Sequence, residues 1–573
     1  MSDQDWDETF DFVIVGSGGG SMCASLVAKD HGRSTLILEK QSQVGGSTGF
    51  SGGVWWIPNN PLMAREGIAD SYERARQYFD AAVTYQGPGT TPIRREAYLK
   101  SGPEMIEYLE RKGMKFKRPE GYSDYYDNLP GGEPRSRSLI AELFDINELG
   151  EWKDRLSTYP GAVMHIGNDE LPDLLLMKRT WKGKAMALRV GLRMLTMKLT
   201  GKDWRGTGAA IQGRMLQIAL RENIPIWPET PVEDLIVEDH RVVGVIAKRG
   251  SGSLGKTLRI RARDGVLLDA GGFSRNGDMR RQYGRLPISG NWTVANPGDT
   301  GEVMQAAIRL GAATDCMDTA VWGVTSLGPD ESYPEGAKAR DGSPLPFGHH
   351  FDISFPHVIM VDQEGQRFAN EAGSYMEIGE NMYDHHQRTG KGIPGWAIIE
   401  SRHRERYLWG SVLGKSPQSW FDSGYMIKAD SIEGLAQQCN IDQEKLRASI
   451  DRFNGFCKTG VDEDFQRGGK CFDRFHGDPT VKPNPNLGAI EKPPFFAVRI
   501  YPGDVGTCGG LVADEHGRVL RDDGSVIEGL YATGNTTASV MGRSYPGAGA
   551  SIGNSFVFGY RAALHVVGRA QRY

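Results

Sequence analysis

The stretch Phe12 to Ser21, Phe-Val-Ile-Val-Gly-Ser-Gly-Gly-Gly-Ser, constrains the fold more than any other part of this chain. Phe12 to Val15 read as a short buried strand that runs straight into glycine, and a helical stretch follows from Met22 to about Asp30. A turn this tight needs glycine at Gly16. A bare backbone at Gly18 lets a pyrophosphate rest on the helix N-terminus. The third position of that fingerprint is Ser21, which is small enough for close packing but weakens the motif. A second strand, Thr35 to Leu38, ends at Glu39, the spacing of an acid that holds ribose hydroxyls. This is the βαβ start of an α/β fold.

One dinucleotide motif leaves other Gly-rich α/β domains open. Three further segments narrow the choice. Gly45-Gly46-Ser47-Thr48 follows the Glu39 strand, and Ala270-Gly271-Gly272 closes a β pattern that runs through Arg259 to Ala262 and Gly265 to Leu268. Gly529 to Asn535 is a strand running into glycine near the other end of the chain. A nicotinamide domain has no use for so distant an element, whereas the long FAD molecule does. The expected FAD contacts are Gly16, Ser17, Gly18, Gly19, Gly20, Glu39, Lys40, Gly45, Gly46, Ser47, Thr48, Ser51, Gly52, Gly53, Val232, Ala270, Gly271, Gly272, Gly534, Asn535, Gly549, Ser551 and Ile552. No His or Cys attachment pattern accompanies them, so FAD is expected to be non-covalent. With these segments the chain resembles the fumarate reductase/succinate dehydrogenase-type flavoproteins at both of its ends.

At 573 residues the chain exceeds one compact core. The expected architecture is a Rossmann-like FAD-binding domain built from residues 1–318 and 496–573, with an α+β catalytic domain, 319–495, inserted between them. Helix is read over Ile211 to Arg221, Met304 to Leu310, Ile432 to Cys439, Gln443 to Phe456 and Ser555 to Arg569, and also after the polar loop Tyr122 to Gly132.

Oxidising a C–C bond beside a carbonyl with a flavin requires a hydride acceptor, a base for the neighbouring proton and donors that polarise the carbonyl. Tyr545 and the Gly549 backbone, in Arg543-Ser544-Tyr545-Pro546-Gly547-Ala548-Gly549, can supply donors. A tight turn around a core tyrosine explains the same residues. With Gly503-Asp504-Val505-Gly506-Thr507, Asp124-Tyr125-Tyr126 and Asn370-Glu371-Ala372-Gly373-Ser374-Tyr375, this segment resembles the bacterial 3-ketosteroid Δ1-dehydrogenase family. The resemblance implies that Tyr375 removes the C2 proton, that Tyr125 assists it, and that Tyr545 and Gly549 bind the C3 carbonyl oxygen. It also implies hydride transfer from C1 to FAD, a 3-ketosteroid substrate and a place in steroid degradation. A 3-ketosteroid Δ4-(5α)-dehydrogenase, a fumarate reductase-like enzyme using His349, His350 and Arg367, and a non-catalytic flavoprotein are the alternatives.

The formal net charge of -5 gives no electrostatic case for nucleic acid. The six cysteines show no metal-ligand spacing, so no metal is expected and reduced thiols are. Met1 to Phe10 has no signal-peptide character and no apolar run spans a bilayer, which points to the cytoplasm. Residues 150–205 read as an insertion. Within it, Lys178 to Arg205 sets nine basic residues against Asp203, among leucines, methionines, Trp181 and Trp204. That composition suits either a peripheral contact with the anionic inner face of a membrane or a packed helical hairpin with a solvated basic face. A quinone is the electron acceptor weighed.

Overall fold

The computed structural model describes residues 6–159, 165–250, 255–339, 342–410 and 412–571. Part of the N-terminal reading (1–5) and part of the expected insertion (160–164) lie outside the described residues. Along the chain come β1 (Glu8–Val15), α1 (Gly19–Asp30), β2 (Thr35–Leu38), α2 (Leu171–Leu175), α3 (Trp181–Thr200) and α4 (Thr207–Arg221). Next are β3 (Ile226–Trp227), β4 (Val232–Glu238), β5 (Arg241–Arg249), β6 (Lys256–Leu268), β7 (Ala320–Ser326), β8 (Phe347–Gly348) and β9 (Val358–Val361). The remainder used below are α5 (Tyr375–Thr389), β10 (Gly395–Glu400), β11 (Met426–Ala429), β12 (Phe495–Thr507), β13 (Arg518–Leu520), β14 (Val526–Ala532) and α6 (Ala550–Val566).

The first sheet runs β13-β14-β6-β1-β2-β3, with β5 and β4 continuing antiparallel from β6. The strands from β14 to β3 are parallel. Val13, Ile14, Leu36, Ile37, Val266 and Leu267 are fully buried. Such apolar runs without alternation are what a sheet covered on both faces requires. One cover is α1 packed on α6: a side chain at Gly19 would meet Phe556, and one at Gly20 would meet Ser555. This is the mixed α/β class read from the sequence, with β14 and α6 drawn from the far end of the chain.

A second sheet runs β8-β7-β12-β10-β9, and β11 also pairs with β12. β12 starts at the expected return to the FAD-binding domain near residue 496, yet it is an inner strand of this second sheet. Two local readings are corrected. After Gly132 the chain forms a strand, Ser138–Ala141, and a 3-10 stretch, Ile146–Arg155, in place of further α-helix. The strand exists because Val54–Trp56 and Phe116–Lys117 pair with it. The C-terminal helix begins at Ala550 rather than Ser555, because Gly549, at φ +89°, caps it in a left-handed conformation.

Candidate active site

A cavity of about 1260 Å³ opens at the carboxyl ends of β1, β2 and β6, where Val15, Leu38 and Asp269 line it. That is the crevice where open parallel sheets take ligands. Its floor is the turn after β1. Gly16 sits at φ +96°, and a side chain there would lie 2.2 Å from the Asp269 carbonyl oxygen. At Gly18 a side chain would lie 2.8 Å from the Asp269 carboxylate. The Ser17 hydroxyl donates to Glu39 at 2.5 Å and accepts from the Gly45 N–H at 2.8 Å, so it ties the turn after β1 to the end of β2. The Ser47 hydroxyl donates to Asp299 at 3.0 Å, while burial pushes the Asp299 carboxyl up to about 7 and the Asp269 carboxyl up to about 6.

At the other end of the cavity three tyrosines meet. The rings of Tyr125 and Tyr375 lie 5.6 Å apart, those of Tyr125 and Tyr545 5.7 Å, and those of Tyr375 and Tyr545 5.3 Å. Tyr375 is the first residue of α5. Tyr125 lies in the loop before Ser138–Ala141, and its N–H donates to the Pro546 carbonyl at 3.0 Å, which couples it to the Tyr545 segment. The Ser551 N–H reaches toward the Tyr545 hydroxyl at 3.5 Å, at the start of α6, where backbone N–H groups lack intrahelical acceptors. Gly549 lines the cavity beside them; a side chain there would lie 2.0 Å from the Val54 carbonyl oxygen. Burial first, and then the neighbouring phenols, push Tyr375 well above the usual phenol range. Tyr375 is therefore a neutral phenol at rest, held so chiefly by burial, with the Tyr125 hydroxyl acting in the same direction. Tyr126 turns its hydroxyl to Ser374 and Ser544 instead.

Comparison with known proteins decides the family. A family described as FAD binding domain matches residues 11–552. The 3-oxosteroid 1-dehydrogenase of Mycolicibacterium smegmatis is 40% identical over 98% of each chain. That of Mycobacterium tuberculosis is 40% identical over 98% of this chain and 99% of its own. The chain belongs to the 3-ketosteroid Δ1-dehydrogenase family. The crystal structure of 3-ketosteroid Δ1-dehydrogenase from Sterolibacterium denitrificans, in complex with 1,4-androstadiene-3,17-dione, matches with a TM-score of 0.90 at 36% identity, over 98% of this chain and all of that one. The cofactor of a 3-ketosteroid Δ1-dehydrogenase of this family is FAD. The cradle fits it: glycine at Gly16 and Gly18 lets the turn that opens α1 lie directly against Asp269 at the cavity wall, which puts the N-terminus of α1 where a pyrophosphate binds, and the cavity exceeds the roughly 300–1,000 Å³ of an ordinary single-ligand pocket.

Of the expected FAD contacts, Gly19, Gly20, Gly45 and Gly272 do not line the cavity. Gly19 and Gly20 admit α6, Gly45 packs on Gln212, and a side chain at Gly272 would collide with Thr507. Lys40 does line it, with its ammonium on Thr300 and Glu302. Ser51, Gly52, Gly53, Val232, Ala270, Gly271, Gly534, Asn535, Ser551 and Ile552 line it as well. The cationic cluster weighed for a fumarate reductase does not form. Arg367 is buried in ion pairs with Glu371 and Asp462, and His349 is held between Asp352 and Ser326, each at 2.7 Å. Only His350 of the three faces the cavity. Sequence reasoning missed Asp269, Asp299, Tyr122, Phe472 and the leucines of α2, all of which line it. The acid immediately before Ala270-Gly271-Gly272 was the one available signal.

Four of the nine cations of Lys178 to Arg205 pair with acids outside that segment, Arg179, Lys182, Arg189 and Arg193. Arg193 pairs with Glu170 at 2.6 Å, Arg179 with Asp478 at 2.7 Å and Lys182 with Asp173 at 3.2 Å. Besides cations, α3 exposes a run of apolar residues: Trp181 is 84% exposed, Leu188 65%, Leu192 56%, Leu195 52% and Leu199 77%. Only Gly183 and Val190 of this helix are buried, and its packed side meets α2, where a side chain at Gly183 would collide with the Leu176 and Asp173 carbonyls. Among the described residues no helix is long and apolar enough to cross a membrane.

Proposed function

We propose that this protein introduces a C1–C2 double bond into the A ring of 3-ketosteroids, as a step of steroid degradation. The observation that carries this reading is the meeting of Tyr125, Tyr375 and Tyr545 in the cavity that also holds the FAD cradle. The Tyr545 hydroxyl and the Gly549 N–H hold the C3 carbonyl oxygen. At the N-terminus of α6 they also favour the negative charge that develops there. Polarisation makes the C2 proton acidic, and the phenolate of Tyr375, formed as its own proton passes through the Tyr125 hydroxyl to solvent, takes it. Tyr125 hydrogen-bonds the Tyr375 oxygen and keeps its ring in line. FAD, when bound, accepts the hydride that leaves C1. The FAD unit comprises residues 1–318 and the chain after β12, and the substrate unit 319–495 together with β12.

α3 rests on an anionic membrane surface with its leucines in the headgroup boundary, and a quinone takes the electrons on. The enzyme thereby works from the cytoplasmic face, where steroids partition into the bilayer. The reading is supported by the run of exposed apolar residues along one side of α3, with Lys184 and Lys198 on the same helix.

The test is anaerobic mixing of the FAD-loaded protein with a saturated-ring 3-ketosteroid and with its 4-ene form. Bleaching of the flavin is expected, with a product lighter by one molecule of hydrogen and unsaturated at C1–C2. A new bond at C4–C5 alone, or a flavin that stays yellow with both, refutes the reading.

A further inference from the structure

A wall of aromatic rings leads away from the three tyrosines. Tyr125 lies 4.0 Å from Phe472, Phe472 4.7 Å from His476, and His476 is stacked at 5.0 Å on Phe351. Three such spacings are about the length of a fused-ring skeleton. Where the wall ends, Leu171 and Leu175 of α2 close with Phe351, Phe355 and His476 around a small void. Leu174 and Met177 face the main cavity beside them. No residue of α2 is buried, whereas the next one, Leu176, is packed against Phe355 and Tyr407. The α2 leucines are thus uncovered toward the cavity and fixed from behind.

α2 is also tethered on both sides of the cleft. Before it, the Asn168 side-chain amide donates to the Gly52 carbonyl at 2.8 Å and accepts from the Tyr122 hydroxyl at 2.6 Å. After it, Arg179 donates to Asp478 at 2.7 Å, and Tyr407 donates to the same carboxylate at 2.6 Å. One tether holds α2 to the FAD side and the other to the substrate side, so α2 is a fixed roof of set height.

We propose that Leu171, Leu174 and Leu175 determine substrate specificity: they cover the end of the steroid remote from the C3 carbonyl and select 3-ketosteroids that keep an apolar side chain on ring D. This rests on the orientation assigned above, with the ketone at Tyr545. A saturated chain displaces no hydrogen bond from these leucines and buries against them, whereas a ring-D ketone in its place meets no donor on α2.

The experiment uses the FAD-loaded enzyme and two 4-en-3-ones, one with a full sterol side chain and one with a ketone in its place. Flavin reduction is followed by stopped flow, and steroid binding by equilibrium dialysis. Leu175→Asn and Leu171→Asn are expected to raise the KM and the dissociation constant of the side-chain steroid about tenfold while leaving its kcat near the wild-type value. The ketone should change by less than about threefold. Leu175→Met, of similar volume, should restore the side-chain steroid. Parallel losses for both steroids, or no loss for either, overturn the inference. If the wild-type enzyme oxidises the ketone and binds the side-chain steroid no better than its asparagine variants do, α2 fails and the dehydrogenase reading stands. If neither steroid reduces the wild-type flavin, the dehydrogenase reading has failed first.

Discussion

Tyr375 is asked to accept a proton while its surroundings keep its own in place. Burial and two adjacent phenols raise its pKa, so the resting site holds three neutral tyrosines and no stored charge. Removing the hydroxyl of Tyr375 should then cost catalysis without costing binding. Tyr375→Phe is expected to lower turnover by about 10² to 10⁴, with the steroid dissociation constant within a few-fold of wild type. Tyr545→Phe should weaken both, because a donor to the carbonyl serves substrate and enolate alike. Retention of most activity by Tyr375→Phe removes it as the base. Asp299 gives a second expectation. Its carboxyl, raised to about 7 by burial, is largely neutral below that pH, and it lines the cavity that takes the anionic FAD. As pH rises through 7 it ionises and repels the phosphates, so FAD affinity should fall between pH 6 and pH 9; Asp299→Asn should flatten that slope, measured by titrating apoprotein with FAD. Residues of this kind were invisible in the sequence. Gly16, Gly18 and Tyr545 were legible because a bare backbone or a phenol is demanded by the chemistry itself. Asp269 stood out only as the acid before Ala270-Gly271-Gly272, while its 2.7 Å hydrogen bond to the Ser21 N–H spans 248 positions.

Elements were legible where their own periodicity sufficed. β1, α1, β2 and α4 appeared where the apolar spacing put them. Ser138–Ala141 did not, since its four residues are a strand only by virtue of Val54–Trp56 and Phe116–Lys117 on either side. α3 was legible as a helix that carries both apolar side chains and cations. The excess of cations drew attention, and the structure moves the weight to the exposed leucines. The expected consequence is that replacing Leu188, Leu195 and Leu199 with serine abolishes co-sedimentation with anionic vesicles, while exchanging Lys184 and Lys198 for glutamine weakens it by less. Each buried leucine contributes about 1.5–3 kcal/mol, against about 1 kcal/mol for a cation near the surface. Wild-type protein that stays in the supernatant with anionic vesicles removes the membrane assignment.

At the scale of the whole molecule, the flavin cavity is closed by segments more than five hundred positions apart. The Gly20 N–H donates to the Ser555 hydroxyl at 3.0 Å, across 535 positions, and β14 completes the sheet that β1 begins. Retention by enclosure alone, without a covalent link, predicts that acid precipitation releases all of the flavin into the supernatant; colour left in the pellet means a covalent link. Gly18→Leu should lose FAD outright, since its side chain points at the Asp269 carboxylate. The same geometry dictates when the cofactor can be captured during synthesis. On the ribosome β1 and α1 emerge long before β14 and α6, so the nascent chain carries an open sheet edge and half a nucleotide site while the more than two hundred and fifty residues from β6 to β14 are made. Capture of FAD must therefore wait until β14 and α6 have been made.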